Sequence, residues 1–142
     1  MNVSARTEYA CLALLELALH YEAGHPVRVR QIADAHGIPP QFLMQILLQL
    51  KAAGLVTSTR GASGGYRLVR DPAELSLGEV MQVMDGPLHG ADRNGASGTP
   101  LSRALRQTWD RAAAAEREWL NATSFADLIA AVGEPAEQMF YI

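Results

Sequence analysis

Apolar residues in the first half of the chain recur at helical spacing, then give way to short runs broken by glycines. Ala10, Leu14, Leu17 and Tyr21 form one stripe and Leu12, Leu15 and Leu19 a second, which predicts a helix running to about Tyr21. Ser4 stands where an N-cap hydroxyl can accept a first-turn N–H. A helix with two apolar faces needs two partners: one is the domain's own core, the other a further helix of this chain or a second subunit.

Glu22 to Pro26 has turn chemistry, and Val27-Arg28-Val29 is long enough only for an edge strand. A second helix is predicted over about Arg30 to Ala35, with Ile32 and Ala33 inward and Gly37 at its end. Pro39-Pro40 then opens a third helix, over Pro40 to Ala53, because proline is tolerated in a first turn whose N–H groups lack partners anyway. Leu43, Ile46, Leu47 and Leu50 point it at the core, and Gly54 stops it. Its other face carries Gln41, Met44, Gln45, Leu48 and Lys51. Glutamine can pair with adenine edges and lysine with phosphate or guanine, so this face suits a DNA recognition helix; a solvated surface is the plainer alternative.

The following segment favours DNA. Leu55 to Thr59 and Tyr66 to Val69 read as strands joined by Arg60-Gly61-Ala62-Ser63-Gly64-Gly65. A helix-turn-helix followed by a hairpin is a winged helix, and Arg60, Arg67 and Arg70 lie on or beside the wing, where they can reach phosphates or a narrow minor groove. The glycine-rich loop leads into no helix and no GK[ST], which disfavours a nucleotide-phosphate cradle.

Composition sharpens this picture. The chain has 142 residues and a net charge of -3. Residues 1–70 nevertheless hold seven Lys/Arg against four Asp/Glu, and residues 71–142 five against eleven, so a basic half precedes an acidic one. Local charge governs attraction to nucleic acid, and the overall sign does not argue against it. No run of bilayer length and no signal-peptide start is visible, which predicts a cytoplasmic protein with no membrane partner. There is no HExxH, no P-loop and no Ser/His/Asp pattern, so an enzyme is not expected.

At this point the residues resemble the Rrf-two family of bacterial winged-helix transcription regulators. The matching stretches are Thr7-Glu8-Tyr9-Ala10, Ile32-Ala33 with Gly37-Ile38, Leu50 to Val56, Leu75 to Val80, Asp85-Gly86 and, most specifically, Arg60-Gly61 through Gly64-Gly65-Tyr66-Arg67-Leu68. The resemblance implies a fold that is mainly α with a small β-hairpin: a winged helix-turn-helix DNA-binding domain (1–85), a flexible loop (86–100), and a long dimerisation helix with a short last helix (101–142). Ser76 with Glu79 makes a capping box for a helix ending near Met84, and Ser124 with Asp127 caps the last helix through Val132. Leu101 to Asn121 forms a helix roughly 30 Å long, whose apolar positions Leu101, Leu105, Thr108, Ala112, Ala115 and Trp119 recur every three or four residues, broadened by Trp109 and Leu120. A homodimer on a pseudo-palindromic operator in double-stranded DNA, acting as a repressor, is the implied function.

Carried over residue by residue, Gln41, Phe42, Met44 and Gln45 fall in the base-reading stretch with Lys51 beside it. Arg60, Gly61, Ser63, Gly64, Gly65, Tyr66 and Arg67 make the minor-groove wing. Pro39-Pro40, Phe42 and Met44 depart from the Ser, Tyr and Glu chemistry common in the family, so a different operator is expected; Phe42 equally suits the core. Cluster-binding relatives carry three cysteines in the loop before the long helix. Gly86 to Pro100 contains none, and the chain has one cysteine in all, Cys11, so no iron-sulfur cluster and no other cofactor is expected. Glu8, His89 and Cys11 are the residues an unusual metal or cluster sensor would use. Each has a plainer reading: a carboxylate at a helix N-terminus, a solvated loop histidine, a buried thiol. Trp109, Trp119, Met81 and Met84 could line an effector pocket or belong to the core. A small-molecule or protein effector remains open, and a winged helix that binds protein is the alternative function.

Overall fold

A computed structural model describes residues 1–86 and 98–133. Its order is α1 (Ala5–Leu19), α2 (Val29–His36), α3 (Pro40–Ala52), β1 (Val56–Thr59), β2 (Gly65–Leu68), a 3-10 turn at Pro72–Glu74, α4 (Leu77–Asp85), α5 (Pro100–Ala122) and α6 (Phe125–Gly133). The chain is therefore mainly helical with one antiparallel hairpin, as the hydrophobic pattern predicts. His89 and most of the expected loop lie outside the described residues.

The core forms where the stripes converge. Ala10, Leu14 and Leu17 of α1 pack with Ile32 of α2, the α3 stripe Leu43, Ile46, Leu47 and Leu50, and Val80 of α4, all buried. Phe125 of α6 is completely buried and closes the far side. Leu12, Leu15 and Leu19, the second α1 stripe, face α6: with Leu128, Ile129 and Val132 they line an open groove of about 540 Å³.

Caps set the helix limits. The Ser4 hydroxyl accepts the Thr7 N–H at 3.1 Å, and Ser76 accepts from Glu79 at 3.1 Å. Ser124 and Asp127 exchange two bonds of 3.0 Å, each side chain taking the other's backbone N–H. Gly37 ends α2 at φ +64°, in the left-handed region that side-chain-bearing residues rarely adopt.

Several expected boundaries shift. The first helix stops at Leu19, and His20 takes the cap position, leaving Tyr21 in the following turn. The edge strand expected over Val27 to Val29 shrinks to one bridge, Val27 with Tyr66, because α2 already starts at Val29. That bridge is nonetheless well made, with N–H···O distances of 2.9 and 2.8 Å, and places β2 between β1 and Val27. In the hairpin Val56 pairs with Leu68, Thr57 with Arg67, Ser58 with Tyr66 and Thr59 with Gly65. One face of it, Val56, Tyr66 and Leu68, is buried, which fixes the register, since a slip of one residue would turn all three outward.

Candidate nucleic-acid interface

The helix-turn-helix consists of α2 and α3, joined by the left-handed turn at Gly37 and by the Ile38 N–H bonding back to the Ala33 carbonyl at 3.0 Å. Burial of Leu43, Ile46, Leu47 and Leu50 turns Gln41, Met44, Gln45, Leu48 and Lys51 to solvent. The α3 sequence holds no carboxylate, so nothing on this helix repels a phosphate. Lys51 donates to the Ser58 hydroxyl at 2.7 Å, which joins the end of α3 to the wing and brings the two candidate DNA-facing elements together.

The wing tip is shaped by backbone rather than side chains. Arg60, Gly61 and Ser63 are exposed, and the Gly64 N–H donates to the Gly61 carbonyl at 3.0 Å. Gly64 is buried: a Cβ there would lie 2.1 Å from the Thr59 carbonyl oxygen. At Gly65, φ is +148° and a Cβ would meet Val27 backbone atoms at 2.5 Å. Gly64 therefore serves the tip's close turn and Gly65 the close approach of Val27 to β2, and a direct DNA contact by their atoms is not needed to account for them.

Two residues expected on the DNA face are placed elsewhere. Tyr66 alternates with its exposed neighbours on β2 and is turned into the core. Phe42 is half-buried, with its ring edge-on to Tyr9 at 5.7 Å between centroids and Arg6 over its face at 5.8 Å. It follows the core reading, because α1 supplies an aromatic partner that helical spacing in α3 alone could not reveal. Arg67 is exposed but donates to the Gly24 carbonyl at 3.2 Å, towards the turn after α1. Arg70 is drawn to α4, bonding Glu79 and the Glu74 carbonyl, and the bond to Glu79 raises its pKa further. Of the wing cations, Arg60 alone has no such tie in the hydrogen bonds and ion pairs described above.

Arg28 and Arg30 escaped the sequence reading. They are exposed at the start of α2, and the first helix of a helix-turn-helix crosses the DNA backbone there, so the motif itself was the signal. Met81 and Met84 are buried in α4, whereas Trp109 and Trp119 stand half-exposed or more on α5. On α1, burial first and then the charges of Asp85 and Glu8 push the Cys11 thiol up to about 11, which keeps it protonated at neutral pH. Among the described residues no three His, Cys, Asp or Glu side chains gather as a metal site. No helix described is long and apolar enough to cross a membrane.

Comparison with known proteins agrees with this geometry. The profile of Rrf2, described as an iron-dependent transcriptional regulator, matches residues 3–131. The Mycobacterium tuberculosis protein Rv1287 is 40% identical over 131 residues, covering 90% of this chain and 81% of its own. The HTH-type transcriptional regulator CymR of Bacillus subtilis is 32% identical over 143 residues, spanning both chains in full. A solved structure of B. subtilis CymR, the global cysteine regulator, superposes with a TM-score of 0.82 at 31% identity, over 92% of this chain and 97% of that one. The structure of T. potens IscR gives 0.76 at 30% identity, over 93% and 88%. With a winged helix-turn-helix in place and relatives that are transcriptional regulators rather than enzymes, the chain belongs to the Rrf2 (Rrf-two) family of DNA-binding transcriptional regulators.

Proposed function

We propose that the chain acts as a homodimeric repressor that occupies a pseudo-palindromic operator, with α3 in the major groove and the Arg60 wing at the adjacent minor groove. The observation that carries the reading is the exposed, carboxylate-free face of α3 tied through Lys51 to the wing. Gln41 and Gln45 supply amides for base edges, Arg60 a guanidinium for the minor groove, and Lys51, Arg28 and Arg30 neutralise phosphate. Dimerisation is supported by α5: over 23 residues it buries only Leu120, while Leu101 is 85%, Leu105 50% and Trp119 73% exposed. An amphipathic helix so little covered by its own domain matches a mate's helix better than water.

The donor set does not fit a thiolate-ligated iron-sulfur cluster. The chain has one cysteine, Cys11, whereas such a cluster is held by several thiolates. Cluster ligation requires thiolates, so the proposed regulator reads a different signal.

DNA binding measured against salt tests the reading. Wild-type affinity for its operator should fall steeply with salt, and Arg60→Ala and Lys51→Ala should each flatten the log–log slope by about one. Arg67→Ala should change it less, since Arg67 is directed at Gly24. A second reading, a protein-binding winged helix, draws on Met44 and Leu48, 42% and 53% exposed on the same face. The absence of any mobility shift on genomic fragments at low salt would favour it and overturn the first.

A further inference from the structure

Gln49 lies on α3 between the buried stripe and the outward face and is half-buried. Its single amide joins three helices. Arg6 of α1 donates to Gln49 Oε1 from Nε at 3.2 Å and from Nη2 at 2.6 Å, while Gln49 Nε2 donates to the Val83 carbonyl of α4 at 3.1 Å. The same last turn of α4 is also fastened to α1. Thr7, fully buried, donates its hydroxyl to Asp85 Oδ1 at 2.8 Å, and Ser4 donates to Thr7 Oγ1 at 3.0 Å. Arg6 further lies over Phe42, two turns before Gln49 on the same edge of α3.

Apolar packing holds a helix against a core but resists rotation about its own axis weakly, because leucine contacts are not directional. Hydrogen bonds are: they weaken steeply away from their preferred length and angle. A helix with side chains is about 10–12 Å across, so a turn of about 20° carries its outer side-chain ends by about 2 Å. That distance is enough to break contacts to base edges.

We propose that Gln49 is a positioning residue for DNA recognition: it fixes the rotation of α3 against the last turn of α4, so that operator affinity follows the placement of that turn. The chain leaves the DNA-binding core at this turn on its way to α5, and the amide thus couples how α5 is held to how Gln41 and Gln45 are presented. The inference rests on α3 being the helix that reads DNA. Glutamine is the side chain the position requires, since it accepts from Arg6 with one atom and donates to a carbonyl with the other. Glutamate would keep the first bond and set an oxygen against the Val83 carbonyl.

The test uses the full-length chain and a duplex selected from a random-sequence pool by the wild type. Affinity for it and for a scrambled duplex is measured across salt for wild type, Gln49→Glu and Gln49→Met, each normalised to its folded, active fraction. Both variants are expected to lose roughly three- to thirtyfold in the ratio of specific to non-specific affinity. The neutral Gln49→Met should leave non-specific affinity and the salt slope unchanged because no phosphate contact is removed, whereas Gln49→Glu, which adds a carboxylate to α3, is compared through the ratio alone. A purely structural role would lower melting temperature and active fraction while leaving the ratio of specific to non-specific binding in place, and that result overturns the proposal. So does Gln49→Glu binding like wild type, since the bond to α4 would then be irrelevant. A wild type that selects no duplex overturns the recognition reading itself, and the role of Gln49 with it.

Discussion

The thiol of Cys11 stays protonated because burial and two nearby carboxylates, Asp85 and Glu8, all disfavour its charge. Its pKa is raised from 9.0 to about 11, so between those pH values the unfolded chain gives up a proton that the folded chain keeps. The stability tied to this group is present below pH 9 and declines as pH rises towards 11, at up to about 1.4 kcal/mol per pH unit. In urea denaturation at pH 8 to 11, the stability of wild type relative to Cys11→Ala is therefore expected to fall by about 2 kcal/mol across that window. At pH 8 the folded thiol should also react more slowly with an alkylating reagent than the urea-unfolded thiol, because the thiolate is the nucleophile. Equal rates would show that Cys11 is open to redox chemistry after all.

At the scale of elements, what was readable in the sequence depended on whether the signal was local. Ser4, Ser76 and the Ser124–Asp127 pair cap helices within four residues of themselves, and these hydroxyl caps form as the spacing implies; the Ser76–Glu79 box forms only in its serine half, because the Glu79 carboxylate is taken by Arg70. The roles of Phe42 and Gln49 depend on Tyr9, Arg6 and Val83, some thirty or more positions away, and no periodicity within α3 can reveal such partners. Val27 shows the same limit: three residues resembling a strand yielded one bridge, because the helix behind it started earlier. The wing is intermediate, since its glycines are legible as a turn but their unequal roles are not. At Gly61 φ is +105° in open space, whereas at Gly65 a Cβ would run into Val27 backbone. Gly61→Ala should cost about 1 kcal/mol of backbone strain, and Gly65→Ala about 2–4 kcal/mol, because the two Val27–Tyr66 bonds must yield as well. Urea titrations of the two variants check the order, and the Gly65 variant should also lose affinity for the operator through a displaced wing.

For the molecule as a whole, the charge division acquires a physical meaning once α5 is seen. The basic half carries the helix-turn-helix and wing, and the acidic half carries the helix proposed to join two copies, so the two recognition helices would be held at a set separation with the acidic parts away from DNA. In a two-fold symmetric assembly, α3 and its mate meet successive major grooves on one side of the duplex, about 34 Å or one helical turn apart. Five base pairs inserted at the operator's dyad rotate one half-site to the opposite side of the duplex. A rigid dimer can then engage only one half, and its affinity should fall to that of an isolated half-site. Leu105→Asp, which places a charge in the exposed stripe of α5, should give a monomer in sedimentation velocity. That monomer should bind the intact and the interrupted operator equally and weakly. If the wild type tolerates the five-pair insertion while Leu105→Asp remains a dimer, α5 is not the element that sets the spacing. If the insertion alone abolishes tight binding and the variant loses both dimerisation and sensitivity to spacing, the long helix is the ruler by which this regulator measures its site.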